Sequence, residues 1–204
     1  MGVRGTLAPR EYYHIYNRGT DKRKIFLAKK DYERFLALLY LSNGTEAVHI
    51  SNYQGSTLME LLELERGEPL VDIGAYCLML NHFHLLVRQR EENGVSKFMQ
   101  KLTTGYTMYF NKRNERTGAL FQGKFKSKHA GEDRYLKYLI AYLHLNPGTP
   151  NYPYSSCLDY MDRGRAEEKL LNKKCLPEYF PSPKDFLAEM KEWLSYRSNI
   201  KVEP

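Results

Sequence analysis

From Leu70 to Gln89 the chain passes through two apolar stretches separated only by Leu80-Asn81, with Asp72 and Arg88 as the sole charges. Short runs this rich in branched and aromatic side chains have strand length rather than helix length, so the pattern predicts strands over 70–79 and 82–89 joined by a tight turn. The rest of the chain is organised around this expected hairpin. Within it, residues 76–87 read Tyr-Cys-Leu-Met-Leu-Asn-His-Phe-His-Leu-Leu-Val, and strand alternation puts His82 and His84 on one face. Two neutral imidazoles from one strand suit a divalent transition metal and leave positions open for substrate, with a third ligand drawn from elsewhere. The plainer reading is a hydrogen-bonded histidine pair at a sheet edge, the commoner fate of a bare His-x-His.

The flanking segments extend this centre into a fold. Residues 12–17, Tyr-Tyr-His-Ile-Tyr-Asn, stop at Arg18-Gly19 and read as a first strand. Behind Asp31, a good N-cap, Tyr32, Phe35, Leu36 and Leu39 recur at helical spacing until Asn43-Gly44. Residues 44–75 form an acidic insert, with six carboxylates against Arg66 for a net of −5. There Val48-His49-Ile50 suggests a short strand, and Thr57 with Glu60 makes a capping box that opens a short helix. Gly94 to Arg113 is amphipathic, a fourth strand is expected over 121–129, and a helix over 132–146 is stopped by Pro147-Gly148.

The resulting order, β-α-β-β-α-β and then a helix, predicts an α+β, ferredoxin-like antiparallel sheet with helices on one face. In that plan the third strand is central. The tyrosine-rich helix over 132–146 follows the sheet, and residues 149–204 are a C-terminal helical appendage in which Ser182-Pro183-Lys184-Asp185 caps a last helix. The expected division is a core domain over 1–148 and the appendage over 149–204.

Charge is unevenly placed. The chain carries a net +7. Between Arg88 and Ala130 lie ten basic and three acidic residues, so that segment holds the whole excess and the remainder is neutral. Lys124, Lys126 and Lys128 share one face of the expected fourth strand, a row that suits phosphate tracking as well as the protection of an edge. The acidic insert should face away from any nucleic acid. Three unpaired cysteines point to a reducing, cytoplasmic setting, no apolar run approaches the ~20 residues of a membrane span, and the first ten residues lack a secretory signal.

A helical wheel separates two arcs on residues 132–146. Leu136, Leu139, Ile140 and Leu143 form the core face; Tyr135, Tyr138, Tyr142 and Asn146 lie about a quarter-turn away. Tyr142 and Asn146 are four residues apart, so a phenol and an amide oxygen project side by side. Among 17 tyrosines any one is most simply a packing residue. Two imidazoles and one amide oxygen would nevertheless leave room on a divalent ion for phosphate oxygens, with the phenol one turn away.

Four motifs together give this sequence a family likeness: Tyr-His-Ile-Tyr-Asn-Arg-Gly at 13–19, the histidine run at 76–86, Gly-Ala-Leu-Phe-Gln-Gly-Lys-Phe-Lys-Ser at 118–127 and Tyr-Leu-His-Leu-Asn-Pro at 142–147. Over about 12–147 the chain resembles the single-tyrosine HUH-endonuclease transposases, including the insertion-sequence and REP-associated tyrosine transposases. The resemblance implies that His82 and His84 are the metal-binding pair with Asn146 as third ligand, holding Mg2+ or Mn2+, and that Tyr142 is the nucleophile. It implies cleavage and rejoining of single-stranded DNA at hairpin-flanked sites through a 5′-phosphotyrosine. Leu80 stands where relatives often have proline, and the insert is longer than in compact members.

Expected DNA contacts are Arg18, Lys97, Lys101, Lys112, Arg113, Arg116, Lys124, Lys126 and Lys128, with unpaired bases stacking on exposed aromatics such as Phe121. The expected partner is single-stranded or hairpin DNA; insertion-sequence relatives act as dimers that can exchange tyrosine helices, and the sequence leaves open both a homodimer and whether Tyr142 serves its own histidine pair or a partner's. The protein is expected in a prokaryotic cytoplasm, associated with the nucleoid when acting. Three alternatives remain: an HUH replication initiator or relaxase, against which the single tyrosine and lack of a helicase-like segment weigh; a non-enzymatic ferredoxin-like RNA-binding module; and a hydrolytic metallonuclease with no need of Tyr142.

Overall fold

Strand β3 (His82–Gln89) is antiparallel to β2 (Val71–Met79) on one side and to β1 (Tyr12–Arg18) on the other. The computed structural model describes residues 7–199, and β4 (Lys126–His129) completes its sheet beyond β1 in the order β2-β3-β1-β4. This is the ferredoxin-like arrangement, with β3 and β1 central. The tight connection between β2 and β3 falls at Leu80-Asn81 as the sequence suggests.

Alternation divides the sheet into two faces with different fates. Ile15 from β1 and Phe83, Leu85 and Val87 from β3 turn toward α1 (Lys29–Leu41) and α3 (Gly94–Arg113), burying Phe35, Leu39, Phe98, Leu102 and Tyr106 against them. The opposite face receives α4 (Asp133–Leu145). Its predicted apolar arc, Leu136, Leu139, Ile140 and Leu143, is buried with Ala75, Leu86 and the α6 (Pro183–Asn199) residues Phe186 and Met190. The two ferredoxin helices thus share one face, and the tyrosine-bearing helix with the C-terminal segment covers much of the other. Burial on both sides explains why β2 and β3 read as continuous apolar runs.

The segment after Pro147 closes the open edge of β2. Ser155 bridges Cys77, Leu78 N–H donates to the Tyr154 carbonyl at 2.9 Å and Ser156 N–H donates to the Tyr76 carbonyl at 3.0 Å. These bonds satisfy backbone groups that an edge strand would otherwise expose. Asp159, fully buried, is held by the guanidinium of Arg165, and the Tyr12 hydroxyl donates to the Cys175 carbonyl.

Several local expectations need correction. Asp31 is not the N-cap of α1 but its third residue, where its carboxylate accepts from the Leu27 and Ala28 N–H groups at 2.7 and 2.9 Å. Residues 48–50 form no strand, and a short 3-10 turn occupies Ile50–Asn52. The fourth strand is only Lys126–His129, paired with Tyr13 to Tyr16, because the chain between it and the Phe121 bridge turns through Gly123 at a φ of 70°. Upstream of it, Phe121 makes one isolated bridge to Gly19 and is 6% exposed among Phe83 and Tyr106. It is a core residue, with no face for a nucleic-acid base. Conversely, Thr57 and Glu60 make the expected capping box at α2 (Leu58–Leu61), and this acidic segment lies beside α1, with Leu62 in the α1–α3 core.

Candidate active site

The central strands hold three imidazoles on one face. Strand register sets Arg18 opposite His82 and Tyr16 opposite His84, while His14 lies diagonally from His84. The His82 and His84 rings meet edge to face at 4.9 Å between centroids. His14 Nε2 lies 2.9 Å from His84 Nδ1, and the Tyr16 ring closes on both, 4.9 Å from His14 and 5.9 Å from His84. The sequence places His14 and Tyr16 in the first strand but assigns neither a role in the site. The alternation of Tyr12, His14 and Tyr16 marks a common face, but only pairing with β3 reveals that it is the histidine face.

Helix α4 brings the phenol to this cluster. The Tyr142 ring stands 5.7 Å from His84 and 6.1 Å from His14, edge-on to each. Leu139, Ile140 and Leu143, seated in the core, fix the rotation of the helix, so the adjoining arc with Tyr142 faces the strands. Asn146 is the half-buried C-cap of α4, one turn beyond Tyr142.

Each histidine of the pair has a partner that leaves one nitrogen for other work. The Asn81 amide donates to the Lys22 carbonyl at 3.2 Å, so its Oδ1 is the atom 2.6 Å from His82 Nδ1. An acceptor there requires a proton on Nδ1, which leaves the lone pair on Nε2. His14 can orient His84 in the same sense when His84 Nδ1 donates to it. Burial pushes the His84 pKa down to about 3, reinforced by His14 and His82, and pushes His14 down to about 4, aided by Lys128. Burial, with Arg18 nearby, lowers His82 as well.

Neutral imidazoles oriented through their second nitrogen are the form that ligates a metal. The donor chemistry of His82 and His84 therefore fits a divalent ion. Among the described residues, no group of three or more His, Cys, Asp or Glu side chains is spaced to hold one. The family resemblance gives the place of third ligand to Asn146, which follows Tyr142 by one turn at the end of α4.

The basic residues divide between the two sides of the sheet. Lys126 is opposite Tyr16 and Lys128 opposite His14, so both share the histidine face with Arg18. Arg18 also donates to Gln122 at 2.5 Å, and Lys124 is exposed in the loop before β4. Lys97, Lys101, Lys112 and Arg113 belong to α3, on the other side. There Lys101 donates to the Gly44 carbonyl at 2.6 Å, and Arg113 pairs with buried Asp31 and the Tyr109 hydroxyl. Arg116 is bound to Asn111 and the Ala119 carbonyl in the following loop.

A single face carrying oriented imidazoles, a facing phenol and phosphate-suited cations has the makings of a phosphoryl-transfer site. The IS200-like transposase family model matches residues 9–146, which includes every element of that face. The chain belongs to the IS200-like transposase family. This transposase is also similar in fold to the structure of a REP-associated tyrosine transposase bound to a REP hairpin, with a TM-score of 0.54 at 10% identity, covering 80% of this chain and 86% of the other. No curated protein matches the transposase. As a transposase it is a DNA-cleaving and strand-transferring enzyme, and among the described residues no helix is long and apolar enough to cross a membrane.

Proposed function

We propose that this transposase cleaves and rejoins single-stranded DNA at hairpin-flanked sites, with Tyr142 as nucleophile. The observation that carries the reading is the facing of the Tyr142 ring onto His84 and His14 within one chain. The hairpin bound by the structural neighbour supports the substrate class. Attack by the Tyr142 oxygen on the scissile phosphorus forms a 5′-phosphotyrosine and releases a 3′-hydroxyl. A later attack by a 3′-hydroxyl on that phosphorus restores the tyrosine and joins the strands. Bond energy is conserved, so no nucleotide cofactor is needed for rejoining.

His82, His84 and Asn146 would hold Mg2+ or Mn2+, the two nitrogen donors favouring manganese. Bound there, the ion would supply Lewis-acid polarisation of the phosphate and charge stabilisation for the departing oxygen. The protein's own part is to orient both rings through Asn81 and His14 and to hold the phenol against them. Arg18, Lys126 and Lys128 would bind phosphates on the same face.

The family match over residues 9–146 supports a catalytic unit ending near 148, with 149–204 as an appendage that braces α4 and the β2 edge. Free, buried Cys77, Cys157 and Cys175 agree with action in a reducing cytoplasm, on the nucleoid. The test is incubation with labelled single-stranded hairpin DNA and manganese, followed by a denaturing gel. A covalent adduct present in the wild type and lost in Tyr142→Phe is expected; cleavage without an adduct would mean hydrolysis and overturn the mechanism.

A further inference from the structure

Tyr135, Tyr138 and Tyr142 follow one another at spacings of three and four residues, which aligns them along one edge of α4. Their ring centroids are 6.2 Å and 6.1 Å apart, with interplanar angles of 29° and 27°. Trp193 from α6 meets Tyr138 edge-on at 5.4 Å. At one end the Lys128 ammonium lies 4.2 Å from the centre of the Tyr135 ring, and at the other Tyr142 faces the histidines. The rings thus form an unbroken series from a β4 lysine to the candidate nucleophile.

Tyr135, Tyr142 and Trp193 rest partly on the core beneath α4, and the ring that the core does not account for is Tyr138. Leu136, Leu139, Ile140 and Leu143 anchor α4, whereas Tyr138 is 41% exposed, the most open tyrosine ring bordering the site. Its surroundings are set for a negatively charged, flat-faced occupant. Lys126 and Lys128 are exposed beside the near end, and Glu189, which accepts from the Trp193 indole N–H at 3.1 Å, has its other oxygen paired with Lys137 at 3.1 Å. Flat aromatic faces accept any unpaired base, and flanking ammonium groups follow its backbone. A duplex keeps its base faces covered and has no use for such rings.

We infer that Tyr135 and Tyr138, with Trp193 supporting Tyr138, are a stacking platform for the unpaired bases beside the scissile phosphate, so that the single strand reaches Tyr142 along α4. The inference deepens the reading of Tyr142 as nucleophile and takes the direction of the strand from it. Stacked bases would hold the phosphate in register with the phenol between cleavage and rejoining, when only the covalent bond and these contacts retain the strand. Phe121, the aromatic residue that the sequence offers for stacking, is buried in the core, so α4 takes over that role.

The test uses the full-length protein and two oligonucleotides, a hairpin with a single-stranded flank and the same hairpin without it. Trp193 is the one tryptophan in the chain, so its fluorescence reports on the platform directly. The flanked hairpin is expected to quench it and the flankless hairpin to leave it unchanged. Tyr138→Leu should weaken binding of the flanked hairpin about tenfold and that of the flankless one not at all, whereas Tyr138→Phe keeps wild-type affinity for both. Equal weakening for both DNAs, no weakening, no flank-dependent quenching in the wild type, or a change in oligomeric state without a change in DNA affinity would each overturn the platform. Its failure is distinct from that of the nucleophile: flank-dependent quenching without any covalent adduct leaves the platform standing and removes Tyr142 from the chemistry.

Discussion

His14 Nε2 and His84 Nδ1 lie 2.9 Å apart across the two central strands, so an imidazole outside the His-x-His motif can orient one inside it by accepting from His84 Nδ1. Outer-shell partners of this kind typically contribute 10- to 100-fold to metal affinity or activity. His14→Ala should therefore cut formation of the covalent adduct by about that factor. Affinity for hairpin DNA, measured in chelator, should not change. His14→Gln, which can still accept from a ring N–H, should recover part of the loss. Wild-type adduct yield in His14→Ala would show that Asn81 and packing suffice to orient the pair.

Tyr142 faces the histidines of its own chain, at 5.7 Å from His84. A complementation assay reads this directly. Mixing Tyr142→Phe protein with a His82→Ala/His84→Ala double variant should yield no more adduct than either alone. Restored adduct in the mixture would mean that a dimer swaps its tyrosine helices and that the cis contact is not the working one.

The sheet and much of the candidate site were legible because their causes are local. Apolar runs of strand length, the Leu80-Asn81 turn and the Leu136-Leu139-Ile140-Leu143 arc each identify an element, and alternation alone puts His82 beside His84. What escaped notice depends on pairing. His14 and Tyr16 join the site only because β1 adds to β3 in one register, and a shift of one residue would send both to the α1–α3 side. The same holds for charge. Lys101 and Lys126 look equivalent in the sequence, yet one secures the Gly44 carbonyl beside α3 and the other stands opposite Tyr16.

That division predicts which cations meet DNA. Lys126→Ala/Lys128→Ala should weaken binding to single-stranded or hairpin DNA and flatten the dependence of log affinity on log salt, by about 0.7 for each single-strand phosphate and about 0.9 for each stem phosphate that is no longer neutralised. Lys97→Ala/Lys112→Ala, on the far face, should leave both quantities near wild type. Filter binding over a series of salt concentrations measures them. Equal losses for the two pairs would place DNA on both sides of the sheet and contradict a single binding face.

Fully buried His144 gives the fold a pH limit. Its Nε2 is 2.8 Å from Ser156 Oγ, its Nδ1 has no partner, and the rings of Tyr160 and Phe186 pack at 5.0 and 5.3 Å. Burial pushes its pKa down to about 3, whereas in the unfolded chain an imidazole titrates near 6.5. The folded protein therefore keeps His144 neutral while the unfolded chain takes up a proton below pH ~6.5, so its contribution is complete above that pH and is lost as pH falls toward 3. His144→Phe removes the titration, and Ser156 Oγ keeps its bonds to Tyr76 N and O. Urea unfolding at pH 7, 6 and 5 should show the wild type losing on the order of 1–2 kcal/mol more than His144→Phe by pH 5. The slopes due to His14 and His84 are common to both proteins and cancel in that difference. Parallel profiles would mean that His144 is protonated in the fold and that its buried environment is more polar than its neighbours indicate.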